Sequence, residues 1–166
     1  MAKPRVRGVI DNGLVTVGGP APDFELPALI GGVRKSFRLA DYRGRTVVLA
    51  FYPFNWQEDS VRQMKSYQSQ RSRLLAGRAE TVGITVESIM NTTAWERAHG
   101  PFDFPLCSDF WPHGQVSRSY GMLQDSGASE RGVVVVNPEG QVVLWHICPP
   151  EETPALEEVF PLIEGV

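Results

Sequence analysis

The chain has 166 residues, a formal net charge of −3 and 42% hydrophobic residues, which suits a soluble globular protein rather than a disordered or fibrous one. Its Lys and Arg residues are dispersed, so it lacks the basic stripe of a nucleic-acid-binding protein. No apolar run reaches the roughly 18 residues that span a bilayer. No apolar segment follows the basic N-terminus as in a secretory signal, so we expect a cytoplasmic protein that binds no membrane.

The first half of the chain predicts strands around one helix. We expect a single domain over residues 1–166, with residues 1–17 as an N-terminal extension. The segments GLVTVGGPAPDFELPAL, IGG and KSFRLADYRG indicate short strands joined by a turn. The run TVVLAFYP (46–53) predicts a buried strand, and TVGITV (81–86) predicts a second. Helical periodicity over EDSVRQMKSYQSQRSRLLAGRAE lies between them, so the two strands should be parallel.

The second half predicts two helices, a hairpin and a closing helix. The helices are NTTAWERAHG, with Asn91 as a possible N-cap, and PHGQVSRSYGM. The strands GVVVVN (132–137) and QVVLWHI (141–147) should be antiparallel because the turn NPEG joins them. The segment EETPALEEVFPLIEG predicts the closing helix. This order of elements indicates an α/β, thioredoxin-like fold with a mixed central sheet flanked by helices.

Four segments carry a resemblance to a known family. They are APDFELPAL, RLADYRGRTVVLAFYP, FDFPLCSDFWPHGQVSRSYGM and SERGVVVVNPEGQVVLW. From residue 18 onward the chain resembles the peroxiredoxins, most closely the one-cysteine alkyl hydroperoxide reductase E type. The resemblance implies the peroxiredoxin variant of the thioredoxin-like fold, hydroperoxide reduction without a cofactor, and recycling by a small thiol or redoxin. It also implies a homodimer whose contact includes the active-site loops and the segment SDFWPHG.

The active-site motif of the family is only half kept. It consists of Pro, three residues, Thr or Ser, two residues and the peroxidatic Cys, with a distant Arg before a Val-rich strand. Pro53, Gln57, Ser60 and Arg131 take these positions here, and only Pro53 and Arg131 match. A peroxide is cleaved by a thiolate of low pKa, whereas the Ser60 hydroxyl has a far higher pKa and forms no stable sulfenic acid. We therefore predict no peroxide reduction at Ser60.

The residues around Ser60 also depart from the family pattern. Gln57 is longer than Thr and should extend into the space of a bound peroxide. Glu58 and Asp59 suit the positive end of a helix but disfavour a thiolate. Asp59 or Ser60 is a candidate N-cap. We further hypothesise that Arg131 forms an ion pair with Glu58 or Asp59 across the altered site.

Several interpretations of the site stay open. Pro53, Trp56, Gln63 and Arg131 are expected to line a small pocket that binds a hydroperoxide or another anion, as in a binding or regulatory protein. Alternatively, the chain is a one-cysteine peroxiredoxin captured as a Cys-to-Ser variant. Such an exchange would leave residues 57–59 unchanged, so we favour a natural homologue that has lost peroxidase activity.

Other chemistry would have to use the remaining Cys and His residues. Redox activity relocated to Cys107 or Cys148 is an alternative, although the sequence around Cys107 suits a small core residue. A serine hydrolase is disfavoured because no G-x-S-x-G motif is present. The three His residues are scattered, so we expect no metal site. The aromatic side chains Trp56, Phe110 and Trp111 belong either to an interface or to the core.

Overall fold

The computed structural model describes residues 15–149, 152 and 156–164, and the expected N-terminal extension therefore lies outside the described residues up to residue 14. The elements in chain order are β1 (Glu25–Ile30), β2 (Val33–Arg38), a 3-10 turn (Leu39–Tyr42), β3 (Thr46–Phe51), α1 (Glu58–Ser69), α2 (Arg71–Ala76), β4 (Ala79–Thr85), α3 (Ile89–His99), β5 (Leu106–Ser108), α4 (Gln115–Ser119), β6 (Gly132–Val136), β7 (Val142–Ile147), a second 3-10 turn (Leu156–Glu158) and α5 (Phe160–Ile163). No helix in this part of the chain has both the length and the apolar character that crossing a membrane requires.

The strands of the described residues form one mixed sheet in the order β2-β1-β5-β4-β3-β6-β7. Strands β3, β4 and β5 are parallel to one another, and the other neighbours are antiparallel. This arrangement confirms the predicted parallel pair, the predicted hairpin and the predicted α/β fold class. Because β3, β4 and β5 run in the same direction, the loops that follow them lie at one edge of the sheet.

Strand β3 is the centre of the molecule, and all six of its residues are buried. Successive side chains of a strand point to opposite faces, so β3 contributes to two apolar clusters. Val47, Leu49 and Phe51 join one cluster, whereas Val48 and Ala50 join the other. The second cluster also contains Met64 and Tyr67 of α1 and Trp95 of α3. Helices α1 and α3 therefore cover the same face of the sheet.

Two local predictions about the helices were wrong. The single helix expected after residue 58 is divided at Gln70, which ends α1 and precedes α2. Helix α3 begins earlier than expected, because Ser88 rather than Asn91 is its N-cap. The Ser88 hydroxyl accepts a hydrogen bond from the Asn91 amide at 3.1 Å, which satisfies one of the free N–H groups of the first turn.

Candidate functional site

The loop between β3 and α1 contains Pro53 and Gln57 and lies at the edge of the sheet where β3 ends. The Pro53 carbonyl accepts a hydrogen bond from the Thr85 hydroxyl at 3.1 Å, which ties the loop to the end of β4. Gln57 has an extended backbone and is the N-cap of α1, but its side chain makes no capping hydrogen bond. Its carbonyl accepts from the amides of Ser60 and Val61 at 3.1 and 3.2 Å. The prediction of Asp59 or Ser60 as the cap was therefore wrong.

Ser60 lies in the first turn of α1 and is fully buried. Its Oγ accepts a hydrogen bond from Arg131 Nη2 at 3.1 Å. The first turn of a helix presents unbonded N–H groups and the positive end of the macrodipole. The position is therefore electropositive, as a buried nucleophilic anion would require, but it carries a neutral hydroxyl.

Arg131 is the centre of the site, and only 4% of its surface is exposed. Besides Ser60, it donates from Nη1 to Gln63 Oε1 at 2.8 Å and from Nη2 to Gln57 Oε1 at 3.1 Å. Its Nε is buried and has no hydrogen-bond partner among the residues that the structure describes. Burial lowers the pKa of Arg131, and the nearby Asp59 carboxylate partly opposes that shift. The structure thus brings Gln57, Ser60 and Gln63 together around Arg131, and the oxygens that these described residues offer to the guanidinium are neutral.

The ion pair expected between Arg131 and Glu58 or Asp59 is absent from the described residues. Both carboxylates pair instead with Arg62, at 2.7 Å from Asp59 Oδ1 and 3.8 Å from Glu58 Oε1. The hypothesis was wrong because Arg62 lies one helical turn further on, at the i+3 and i+4 spacing that favours such pairs. Glu58 also points to solvent, with 92% of its side chain exposed.

Gln63 and Trp56, both expected to line the pocket, lie in different environments. Gln63 is buried and bridges the site, since its Nε2 donates to the Phe51 carbonyl at 3.2 Å while its Oε1 accepts from Arg131. Trp56 instead contacts α3, where its Nε1 donates to Asn91 Oδ1 at 3.0 Å and its ring lies 5.8 Å from that of His99. A role of Trp56 in binding a ligand stays a prediction.

A buried hydrogen-bond network that the sequence analysis missed holds the loop in place. Asn55 Oδ1 accepts from the Tyr52 hydroxyl at 2.9 Å. Asn55 Nδ2 donates to Asn91 Oδ1 and Thr92 Oγ1, both at 3.0 Å. The one available signal was a polar amide between the aromatic residues 54 and 56. The network fixes the loop against the first turn of α3 and so fixes the start of α1.

Both free cysteines lie outside the first turn of α1. Cys107 is fully buried in β5, as predicted for a core residue, and burial raises the pKa of its thiol. Cys148 follows β7 directly opposite Arg131, and its amide donates to the Arg131 carbonyl at 2.7 Å. Burial raises the pKa of Cys148 to about 12, with smaller contributions from Glu152 and Glu158. Neither thiol is therefore ionised to a useful extent near neutral pH.

Large apolar side chains are exposed at the same edge of the sheet. They belong to the loops after β3 and β5 and to the start of α3, and they are Phe54, Trp56, Met90, Phe110 and Trp111. The most exposed is Trp111, at 80%. This answers the question left open by the sequence for Trp56, Phe110 and Trp111, which lie on the surface of the chain. Among the residues described, no cluster of His, Cys, Asp or Glu suits a metal ion.

Comparison with known proteins identifies the family. The model of the AhpC/TSA family matches residues 17–144. Peroxiredoxin tpx1 of Schizosaccharomyces pombe is 31% identical over 131 residues, which cover 75% of this chain and 67% of that protein. Peroxiredoxin-2 of Bos taurus is also 31% identical, over 75% of this chain and 65% of its own length. The chain thus spans about two thirds of the length of these relatives.

Solved structures show the same fold. The reduced 2-Cys peroxiredoxin of Plasmodium vivax superimposes with a TM-score of 0.83 at 23% identity, over 89% of this chain and 80% of that chain. AhpC of Mycobacterium tuberculosis gives a TM-score of 0.81 at 20% identity, over 91% and 92% of the two chains. The expected thioredoxin-like peroxiredoxin fold is therefore confirmed. Together with the sequence matches, it establishes that this chain belongs to the AhpC/TSA family of peroxiredoxins.

Proposed function

We propose that this chain is a peroxiredoxin homologue without peroxidase activity, in which Ser60 takes the position of the peroxidatic Cys and the altered site has a binding or regulatory role. We take the one-cysteine alkyl hydroperoxide reductase E type, which the sequence resembles, as the model of an active site of this kind. The observation that carries the proposal is the hydrogen bond from Arg131 to the buried Ser60 hydroxyl in the first turn of α1. A hydroxyl at this point offers neither a thiolate nor a route to sulfenic acid.

The position of the Gln57 side chain also supports the proposal. Its Oε1 accepts from the same Arg131 nitrogen that bonds Ser60. A peroxide approaching Ser60 would therefore have to displace this amide from the guanidinium. Glu58 and Asp59 add negative charge to the first turn, which disfavours a thiolate there, although pairing with Arg62 offsets part of this charge.

Relocation of the activity to another thiol is disfavoured by burial. With a pKa of about 12, Cys148 would be ionised to about one part in 10⁵ at pH 7. Cys107 is more deeply buried, in the middle of the sheet. A recycling thiol or redoxin partner is accordingly required only if the chain proves active.

The binding role follows from what remains of the site. Arg131 stays buried beside the helix N-terminus, where it can offer forked donors to a hydroperoxide or a small anion. We propose a cytoplasmic protein of one domain over residues 1–166 that uses no cofactor and binds neither nucleic acid nor membrane.

A homodimer is the proposed assembly. The exposed apolar side chains gather at the edge of the sheet that carries the site, on loops that include the segment SDFWPHG. Association through this edge would remove Trp111 and its neighbours from water, and burial of apolar area stabilises such contacts.

The experiment that tests the function restores the thiol stepwise. Hydroperoxide consumption is measured with an excess of a small dithiol for the chain as given, for Ser60→Cys, and for Ser60→Cys combined with Gln57→Thr. We expect no turnover by the first, little by the second and the most by the third. Full activity of Ser60→Cys alone would instead support a Cys-to-Ser variant of an otherwise working site. Turnover by the chain as given would contradict the proposal.

A further inference from the structure

Arg131 is a buried cation without a buried anion in the described part of the chain. Its hydrogen-bond acceptors are the side-chain oxygens of Gln57, Ser60 and Gln63. Asp59, whose charge acts on Arg131, and its neighbour Glu58 are both paired with Arg62. Removing a charge from water is costly unless an opposite charge compensates, so this arrangement leaves a net attraction for an anion.

The hydrogen-bond inventory of the guanidinium indicates where that anion would bind. Five N–H groups are available, and three of them donate to the neutral oxygens. Within the described ranges, the buried Nε–H has no acceptor. Nε and Nη2 lie on the same edge of the planar group, and a carboxylate typically accepts from two such donors at once. In the described part of the chain, Nη2 donates to the side-chain oxygens of Gln57 and Ser60 only.

Gln57 is the more easily displaced of these two residues. Ser60 is held inside the first turn of α1, whereas the Gln57 side chain is exposed and makes no capping bond. If the Gln57 amide turned into solvent, Nη2 would lose one of its two acceptors and could donate, together with the adjacent Nε, to a carboxylate. The Ser60 hydroxyl, which accepts from Arg131, keeps its own hydrogen for a ligand oxygen.

We infer that the site binds a small carboxylate, and that the Gln57 side chain is an internal occupant that the carboxylate must displace. This inference rests on the proposed binding role and specifies its ligand class. Because Ser60, Gln63 and Arg131 are all buried, a ligand can occupy only the space that the Gln57 amide vacates, which limits it to a formate-sized group. The carboxylates of Glu58 and Asp59 weaken the affinity by repulsion, and Arg62 offsets part of that charge.

The test uses the whole chain labelled with ¹⁵N and the Nε–H signal of Arg131, identified by its loss in Arg131→Lys. Sodium formate is titrated at constant ionic strength, with formamide as a neutral probe of the same size. We expect a saturable shift of this signal with formate and none with formamide. Gln57→Ala should bind formate about tenfold more tightly, which corresponds to one charged hydrogen bond that no longer has to be displaced.

Two further variants separate the internal occupant from a general effect of charge. Gln57→Glu provides its own carboxylate to Arg131 and should abolish the formate response. Gln70→Glu makes the same chemical change at the other end of α1, in an exposed side chain, and should respond like the unmodified chain.

The formate titration and the peroxide-consumption assay test different claims. A response to formate no larger than that to formamide or to chloride, or an equal response in Gln57→Glu, would overturn the carboxylate inference. Peroxide consumption measured on the same samples reports on the proposed loss of activity. If the chain neither binds formate nor consumes peroxide, the carboxylate inference is refuted but the proposed loss of peroxidase activity is not.

Discussion

Replacing Gln57 by Glu would place a carboxylate where a neutral oxygen now stands 3.1 Å from Arg131 Nη2. The attraction between unit charges at this distance is about 5 kcal/mol at an effective dielectric constant of 20. Solvent at the exposed Gln57 position and repulsion from Glu58 and Asp59 reduce this value. We expect a net gain of about 1–2 kcal/mol in the free energy of unfolding, because a charged hydrogen bond exceeds a neutral one by this order.

The gain should depend on pH in a defined direction. Arg131 would lower the pKa of the introduced carboxyl in the folded state below its unfolded value of about 4.3. The stabilisation is then complete above that unfolded value and is lost as the pH falls through the folded one. At neutral pH the melting temperature should rise by about 2–8 °C for a chain of this size.

Thermal and urea unfolding of Gln57→Glu, Gln70→Glu and the unmodified chain between pH 3 and 8 measure this effect. Gln70→Glu is expected to be nearly neutral, because Gln70 lies between the end of α1, where the helix dipole is negative, and the start of α2, where it is positive. If Gln57→Glu is no more stable than Gln70→Glu, or if its gain persists unchanged below pH 4, Arg131 does not act as an uncompensated cation.

Three further predictions concern the loop, the surface and the thiols. Asn55→Ala should lower the free energy of unfolding by about 2–4 kcal/mol in urea, because it removes the acceptor of the buried Tyr52 hydroxyl and the donor to Asn91 and Thr92; a loss below about 0.5 kcal/mol would show that the network is unimportant. Trp111→Ser should weaken self-association in sedimentation velocity without lowering the melting temperature of the monomer, whereas an unchanged dimer would exclude this edge as the contact. Iodoacetamide at pH 7 should alkylate native Cys107 and Cys148 at least about 10²-fold more slowly than the unfolded chain, and rapid labelling of either would reopen relocated redox activity.

The sheet was predictable because its signals are local. Runs such as TVVLAFYP have the apolar, β-branched composition of a central strand, and NPEG at residues 137–140 leaves little alternative to a hairpin. The family motif located Ser60, Gln57 and Arg131, and the fold brings them into contact although Arg131 is 71 residues from Ser60 along the chain.

The errors arose where two partners compete for one group. Asn91 and Ser88 are both good N-caps, and the backbone geometry that selects Ser88 is not visible in the sequence. Arg131 and Arg62 both suit the acidic first turn of α1, and Arg62 forms the pairs because its i+3 and i+4 spacing puts it on the same helix face as Asp59 and Glu58. The Asn55 network depends on the packing of α3 against the loop, so no local pattern indicated it.

We expect that the chain does not reduce peroxides, although it keeps the fold of the peroxiredoxins. The decisive measurement is the steady-state consumption of a hydroperoxide by the unmodified chain. The controls are the double variant Cys107→Ser, Cys148→Ser and a sample that lacks protein. We predict the same slow background rate in all of these samples. Catalytic turnover by the unmodified chain would contradict it, and loss of that turnover in the cysteine-free variant would assign the activity to Cys107 or Cys148.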